Sequence, residues 1–222
     1  MDDSSHRLID PAIEQAIEQE WNIQLTKAAE QGLTYYDAVG YRLNSLESST
    51  DGLVLHLAES PYRIHAAMKT LYRDPRITTA HHDRQLIVDA LMRTSDEMIV
   101  LQTVEKVVES ETYLIGGSTS LSRHPIMTGS DLAAYALDRV DAVLGLEEDE
   151  RAIGNARALV QNEIGCSHLI FDVFTSCTAR EIEDRFRPTP TSKALHCVHI
   201  TELTDWTRRA SGYMAAIGEL GR

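Results

Sequence analysis

Residues 131–146 read Asp131-Leu132-Ala133-Ala134-Tyr135-Ala136-Leu137-Asp138-Arg139-Val140-Asp141-Ala142-Val143-Leu144-Gly145-Leu146. Leu132, Ala136, Leu137, Val140, Val143 and Leu144 recur at helical spacing, Ser130 and Asp131 can cap the start, and Gly145 supplies the stop. The same spacing puts Asp138 and Asp141, three apart, on one helix face, with Asp131 two turns earlier. Upstream, Tyr113-Leu114-Ile115 reads as a short strand ending at Gly116-Gly117, and Ser118 to Gly129, with its serines, threonines and proline, reads as a loop. Downstream come strand-like runs near Ala156 to Val160 and Leu169 to Phe174, a helix near Ala179 to Phe186, and a strand from Ala194 to Ile200. A final amphipathic helix is expected, with Leu203, Trp206, Ala210, Met214, Ile217 and Leu220 on its inner side.

The front of the chain opens with Asp10-Pro11, a cap acceptor followed by proline at the first helical position, then Ile13, Ile17, Trp21, Leu25 and Ala28 on one face and a stop at Gly32. Val39 to Leu46 and Leu53 to Leu57 make a hairpin across Ser48-Ser49-Thr50-Asp51-Gly52. Pro61 to Tyr72 has the spacing of a helix, and Gln85 to Met92 with Met98 to Val104 form a second hairpin around Thr94-Ser95-Asp96-Glu97. An α/β domain with helices on both sides of a mixed sheet follows from this alternation.

Composition narrows the chemistry. A net charge of −13 over 222 residues disfavours nucleic acid and anionic lipid, which both rest on clustered Lys and Arg. No apolar run reaches the ~20 residues of a membrane span, and the start from Met1 to Arg7 is polar, so no membrane partner and a cytoplasmic location are expected. Cys166, Cys177 and Cys197 are widely spaced and form no C-x-x-C pair, which points to buried thiols.

The order hairpin, strand, Gly-Gly, loop, helix ending in Gly-Leu, strands, helix, strand, helix resembles the Nudix superfamily. The residues that carry this are Thr94-Ser95-Asp96, Leu114-Ile115-Gly116-Gly117, Ala133 to Leu146, Leu159-Val160-Gln161-Asn162, His168 to Val173 and Thr178-Ala179-Arg180-Glu181-Ile182. Trp21, Tyr36-Asp37-Ala38, Tyr41-Arg42-Leu43 and Tyr62-Arg63 are similar to the N-terminal extension of Nudix enzymes that hydrolyse UDP-glucose and related UDP-sugars. The resemblance implies a Nudix-like α/β/α sandwich at residues 81–222, with a helix-and-hairpin extension at residues 1–80. It also implies a nucleoside-diphosphate ligand, with Mg²⁺ or Mn²⁺ as cofactor where hydrolysis survives and none where it does not.

The departure lies in the helix itself. The family has Arg-Glu, an apolar residue, any residue, Glu-Glu, any residue, Gly; here that register reads Asp138-Arg139-Val140-Asp141-Ala142-Val143-Leu144-Gly145. Clustered carboxylates hold the cations that bridge diphosphate oxygens and acidify a nucleophilic water, and Ala142-Val143 can do neither. Asp131, Asp138 and Asp141 remain as candidate metal ligands, Asp138 and Asp141 as candidate catalytic groups, and a solvated helix face is the other reading. A second register, Ala158 to Gly165, keeps one glutamate, Glu163. Tyr41, Arg42, Tyr62 and Arg63, with Gly116 and Gly117, are the candidate ligand contacts, because Arg suits bidentate phosphate recognition and Tyr suits stacking on a base. The His81-His82-Asp83, His196/His199 and Glu147-Glu148-Asp149-Glu150 groups read as a loop, a strand with its histidines on opposite faces, and a solvated turn.

Three functions stay open: a ligand-binding protein that has lost efficient hydrolysis, a divergent Mg²⁺-dependent nucleotide-sugar pyrophosphohydrolase using aspartates, and a non-catalytic interaction module, with a homodimer through the N-terminal extension as one form of it.

Overall fold

The computed structural model describes residues 10–50, 52–78, 84–105, 110–114, 128–162, 165–188 and 192–203. The chain divides into two compact units, one made by residues up to Leu86 with Gly165, Cys166 and Ser167, the other beginning at Ile87 and taking the remaining described residues.

In the first unit, helix α1 (Pro11–Glu30) starts as expected: Asp10 Oδ1 accepts from the Ala12 N–H at 2.8 Å, and Gly32 follows the helix at φ 70°. Its buried face presents Ile13 and Ile17 to Ala67 and Met68 of α2 (Tyr62–Leu71), the helix that sequence spacing placed there. Burial of each of the Ile and Met side chains contributes roughly 1.5–3 kcal/mol. Gln24, also buried, donates to the Ala66 carbonyl at 2.9 Å, so its amide is satisfied. Between the helices run β1 (Val39–Ser49) and β2 (Gly52–Pro61), an antiparallel hairpin with a bulge between Leu43 and Ser45. Both strands are longer than the hydrophobic runs predicted, because cross-strand pairs such as Leu46 with Leu55 and Ser48 with Leu53 carry the ladder almost to the turn.

The second unit is built on a six-stranded sheet of β3 (Leu86–Arg93), β4 (Met98–Glu105), β5 (Ser110–Leu114), β6 (Arg151–Gln161), β7 (Ser167–Thr175) and β8 (Ser192–His199). The order is β5-β4-β3-β7-β6, and β8 pairs with β4 as well. This is the α/β class with a mixed sheet that the sequence implies. Helices α3 (Gly129–Leu144) and α4 (Ala179–Arg185) cover one face, where Val140, Leu144 and Ile182 pack with Ala90, Met92, Val100 and Val173. The opposite face buries Leu91, Ile99, Leu101, Ile170 and Val198 with Leu203.

Three readings change in detail. The cap of α3 is Thr128 rather than Ser130 or Asp131: Thr128 accepts from the Asp131 N–H, and Asp131 accepts in return from the Thr128 N–H at 2.8 Å. The second register for the acidic motif fails, since Ala158 to Gln161 belong to β6, and a strand cannot gather carboxylates at helical spacing. The run Glu147 to Glu150 is a capped 3-10 turn, Glu148–Glu150, with its last carboxylate in an ion pair. Gly116, Gly117, the serine-rich loop after them, His81-His82-Asp83 and the expected terminal helix lie outside the described residues.

Gly145 ends α3 at φ 62°, ψ 43°, with its N–H donating to the Asp141 carbonyl at 2.7 Å. A Cβ there meets no atom within 4 Å, so only the backbone conformation opposes one. Gly145→Ala is expected to cost about 1–2 kcal/mol in denaturant unfolding. An unchanged midpoint would show that this helix end is not under such constraint.

Candidate functional site

Helix α3 carries three aspartates, and each has a different environment. Asp131 sits in the first turn, where its carboxylate closes the capping box with Thr128. Asp138 is exposed two turns on. Asp141, one turn before the helix end, is held by the first residue of β6: Arg151 Nε meets Oδ1 at 2.6 Å and Arg151 Nη2 meets Oδ2 at 2.6 Å. The fork is bidentate and partly buried, with side-chain exposures of 17% for Arg151 and 26% for Asp141. Its strength raises the Arg151 pKa above the ordinary arginine value, first through the hydrogen bonds to Asp141 and then through its charge, against a desolvation penalty.

A divalent cation of the Mg²⁺ type wants near-octahedral oxygens at close range. As placed, the α3 aspartates do not fit one: Asp131 is engaged in the cap and both oxygens of Asp141 face a guanidinium. Among the described residues no three His, Cys, Asp or Glu side chains converge on a point that could hold a metal.

At the end of α3 a cleft of about 400 Å³ is lined by Leu144, Gly145, Glu147, Glu150, Arg185 and Arg187. Glu150 anchors it. Arg185 donates to both Glu150 oxygens at 2.6 and 2.7 Å, and the Cys177 thiol donates weakly at 3.6 Å. The Arg185 hydrogen bonds, followed by the Glu147 backbone, hold the Glu150 carboxyl down to about 2. Nearby, Asp96 in the β3–β4 turn accepts from Thr94 and from the Ala179 N–H at 2.9 Å, so the turn fastens the start of α4 and the carboxyl is held low. Local sequence places Glu150 in a solvated turn, because its partner Arg185 lies 35 residues away.

The Tyr and Arg candidates of the first unit separate into two kinds. Tyr62 is half-buried, with its ring against Trp21 and Tyr35 at centroid distances of 6.0 and 6.2 Å, and desolvation of the hydroxyl, then Tyr35, pushes it well above the ordinary tyrosine value. Arg63 pairs with Asp37 and with Glu18, the latter at 2.9 Å. Tyr41 and Arg42 are half-buried neighbours on β1, where Arg42 bridges to Gln85. His196 contacts Thr103 at 2.9 Å, and burial lowers its pKa, whereas His199 is exposed and bonds Thr201.

One ionisable pair escaped the sequence reading. Asp89, wholly buried on β3, lies 2.7 Å from His168 Nδ1 on β7, and among the described residues Asp89 Oδ1 meets no hydrogen-bond donor. Asn162 stands 3.4 Å from His168 Nε2. The clue was present: an aspartate inside Leu86-Ile87-Val88-Asp89-Ala90-Leu91-Met92, a run otherwise apolar. The three cysteines are free thiols; Cys166 and Cys177 are buried, Cys166 with its Sγ 3.4 Å from His65 Nδ1, while burial pushes the half-buried Cys197 thiol up to about 12.

No protein-family model and no curated protein matches the chain. Solved structures similar to it include an Ap4A hydrolase from C. elegans, at 9% identity and a TM-score of 0.44 over 61% of this chain and 92% of that one. A Nudix hydrolase from M. smegmatis, RenU, is 13% identical with a TM-score of 0.36 over 54% and 72% of the two chains. DR0079 from Deinococcus radiodurans is 13% identical with a TM-score of 0.44 over 80% and 97%.

Two outcomes follow. Asp89→Ala removes the carboxyl group that faces the buried His168 Nδ1 and is expected to cost roughly 3 kcal/mol or more in denaturant unfolding; a loss under half of that would mean the pair is not a buried couple in solution. The Glu150 carboxyl is depressed on folding, so its contribution to stability is present above its ordinary value of 4.5 and disappears as pH falls through about 2. Glu150→Gln should therefore be less stable than wild type at neutral pH and converge with it across that acidic window, as followed by circular dichroism.

Proposed function

We propose that this chain is a Nudix-fold protein that holds a nucleoside-diphosphate ligand, with a nucleotide sugar as the class its N-terminal residues resemble, and that it hydrolyses this ligand weakly or not at all. One observation carries the second half of the reading: the helix that supplies glutamates in the resembled family supplies here an Ala142-Val143 pair and an Asp141 already clamped by Arg151. A carboxylate shared with a guanidinium must break two charge-assisted hydrogen bonds before it can ligate a cation.

The resemblance of residues 1–80 to the extension of UDP-sugar hydrolases supports the nucleotide-sugar class. Within it, Tyr41, Arg42, Tyr62 and Arg63 are the side chains suited to ligand contact, with Tyr62 packed in the aromatic cluster and Arg63 paired with Asp37 and Glu18. Gly116 and Gly117 stay in the proposal as backbone that can approach phosphate closely. The competing hydrolase reading uses Asp138 and Asp141 with Mg²⁺ or Mn²⁺ and requires Asp141 to exchange Arg151 for the metal. Among the described residues no helix is long and apolar enough to cross a membrane.

The deciding measurement pairs thermal unfolding with turnover, using UDP-sugars and ADP-ribose with and without Mg²⁺ or Mn²⁺. A ligand at a hundred times its Kd adds about 2.7 kcal/mol to the folded state, enough to raise Tm by several degrees. The proposal expects that rise with little or no product. Brisk turnover abolished by Asp138→Ala or Asp141→Ala would install the hydrolase in its place, and no rise with any of these ligands would leave only the interaction module.

A further inference from the structure

We infer that the cleft past the end of α3 is a binding site for a small zwitterion, of which a free amino acid is the simplest. Its α3 side takes the ammonium end and its α4 side the carboxylate end. The inference stands apart from the ligand reading above, because it uses neither the α3 aspartates nor the Tyr-Arg pairs.

The two walls of the cleft come from different stretches of chain and carry opposite charge. One is the C-terminal end of α3 with the turn after it, which brings Gly145, Glu147 and Glu150; the other is the end of α4, with Arg185, and Arg187 just beyond it. To its carboxylates the first wall adds the carbonyl end of α3, the negative pole of that helix. Glu147 is fixed there, since its side chain accepts the Glu150 N–H in the capped turn. On the second wall both guanidiniums are anchored. Arg185 is held by Glu150, and Arg187 Nη1 donates to the Asp184 and Phe186 carbonyls at 2.6 and 2.9 Å. A guanidinium carries more N–H donors than these bonds use. Anchoring both side chains beforehand removes part of the ordering cost that binding would otherwise carry.

Charge decides the class of ligand. Two carboxylates and two guanidiniums face the cleft, Glu147 and Glu150 against Arg185 and Arg187. A simple anion meets the carboxylates and the helix pole, and a metal cation meets the guanidiniums. A molecule bearing both signs avoids both penalties when each end lies on the wall of opposite charge. The Glu150–Arg185 pair spans the walls and neutralises itself, which leaves Glu147 and Arg187 for the two ends of the ligand. The volume, about 400 Å³, lies in the range of small-molecule pockets.

Glycine, β-alanine, γ-aminobutyrate and lysine, titrated into the full chain at constant ionic strength, vary the spacing between ammonium and carboxylate; acetate and methylammonium supply one charge each. Because Glu147 and Arg187 are exposed, dissociation constants on the order of millimolar are expected. At least one zwitterion should shift the Arg185 and Arg187 Nε–H resonances saturably in proton–nitrogen correlation spectra, while the single-charge probes leave them in place. Glu147→Gln and Arg187→Gln, each checked for folding by circular dichroism, should weaken that zwitterion about threefold to tenfold. Absence of a saturable shift with every zwitterion, an equal response to acetate or methylammonium, or an affinity unmoved in both variants would each overturn the site. Should a variant unfold, the wild-type contrast between zwitterions and single-charge probes still decides.

Discussion

Strand β4 has two edges of hydrogen-bonding groups, and the sheet of the second unit is organised by how they are shared. One edge pairs with β8 from Met98 to Val104; the other meets β3 near the turn, at Ile99 with Arg93, and then β5 from Leu101 onward. A strand committed on both sides cannot shift without breaking ladders to three neighbours, and Ile99, Val100 and Leu101 have no exposed surface at all. The turn that sets this up is fixed by Asp96, which binds Thr94 within the turn and the Ala179 N–H at the start of α4. The same contact ties the start of α4 to this turn, beside the packing of Ile182 into the apolar core.

Against that frame, the chemistry of α3 is a question of which groups reach its carboxylates first. Arg151 opens β6 directly after the short turn that leaves α3, so chain connectivity alone brings a guanidinium to Asp141. Thr128 does the same to Asp131 from the other end. Local partners are available at little loop-closure cost, whereas a cation must be captured from solution and needs several oxygens at once. With Ala142 and Val143 on the helix, Asp138 is the one further carboxylate that α3 supplies.

Much of the fold was legible in the sequence because it is encoded locally. Helical spacing with Asp10-Pro11 and Gly145 located α1 and α3, and small polar turns located both hairpins, although strand ends ran longer because pairing continues wherever a partner is opposite. The features of the candidate site are of another kind. Asp141 finds Arg151 across a helix-to-strand junction, Glu150 finds Arg185 on a separate helix, and Asp89 finds His168 across 79 residues of chain. Those contacts depend on strand order and helix placement, which periodicity does not carry. The Tyr-Arg pairs show the converse: the residue types suited ligand contact, yet Tyr62 and Arg63 were claimed by the nearest aromatic and acidic side chains.

The buried Asp89–His168 couple has a consequence for how the strands find one another. Apolar residues flank Asp89 on both sides, so a misaligned β3 would bury aliphatic groups nearly as well as the native arrangement does. What separates the two is the carboxylate, which in any slipped alignment is driven into hydrocarbon without an imidazole to receive it. The couple therefore penalises slipped alignments of β3, in which the Asp89 carboxyl group would be buried away from His168.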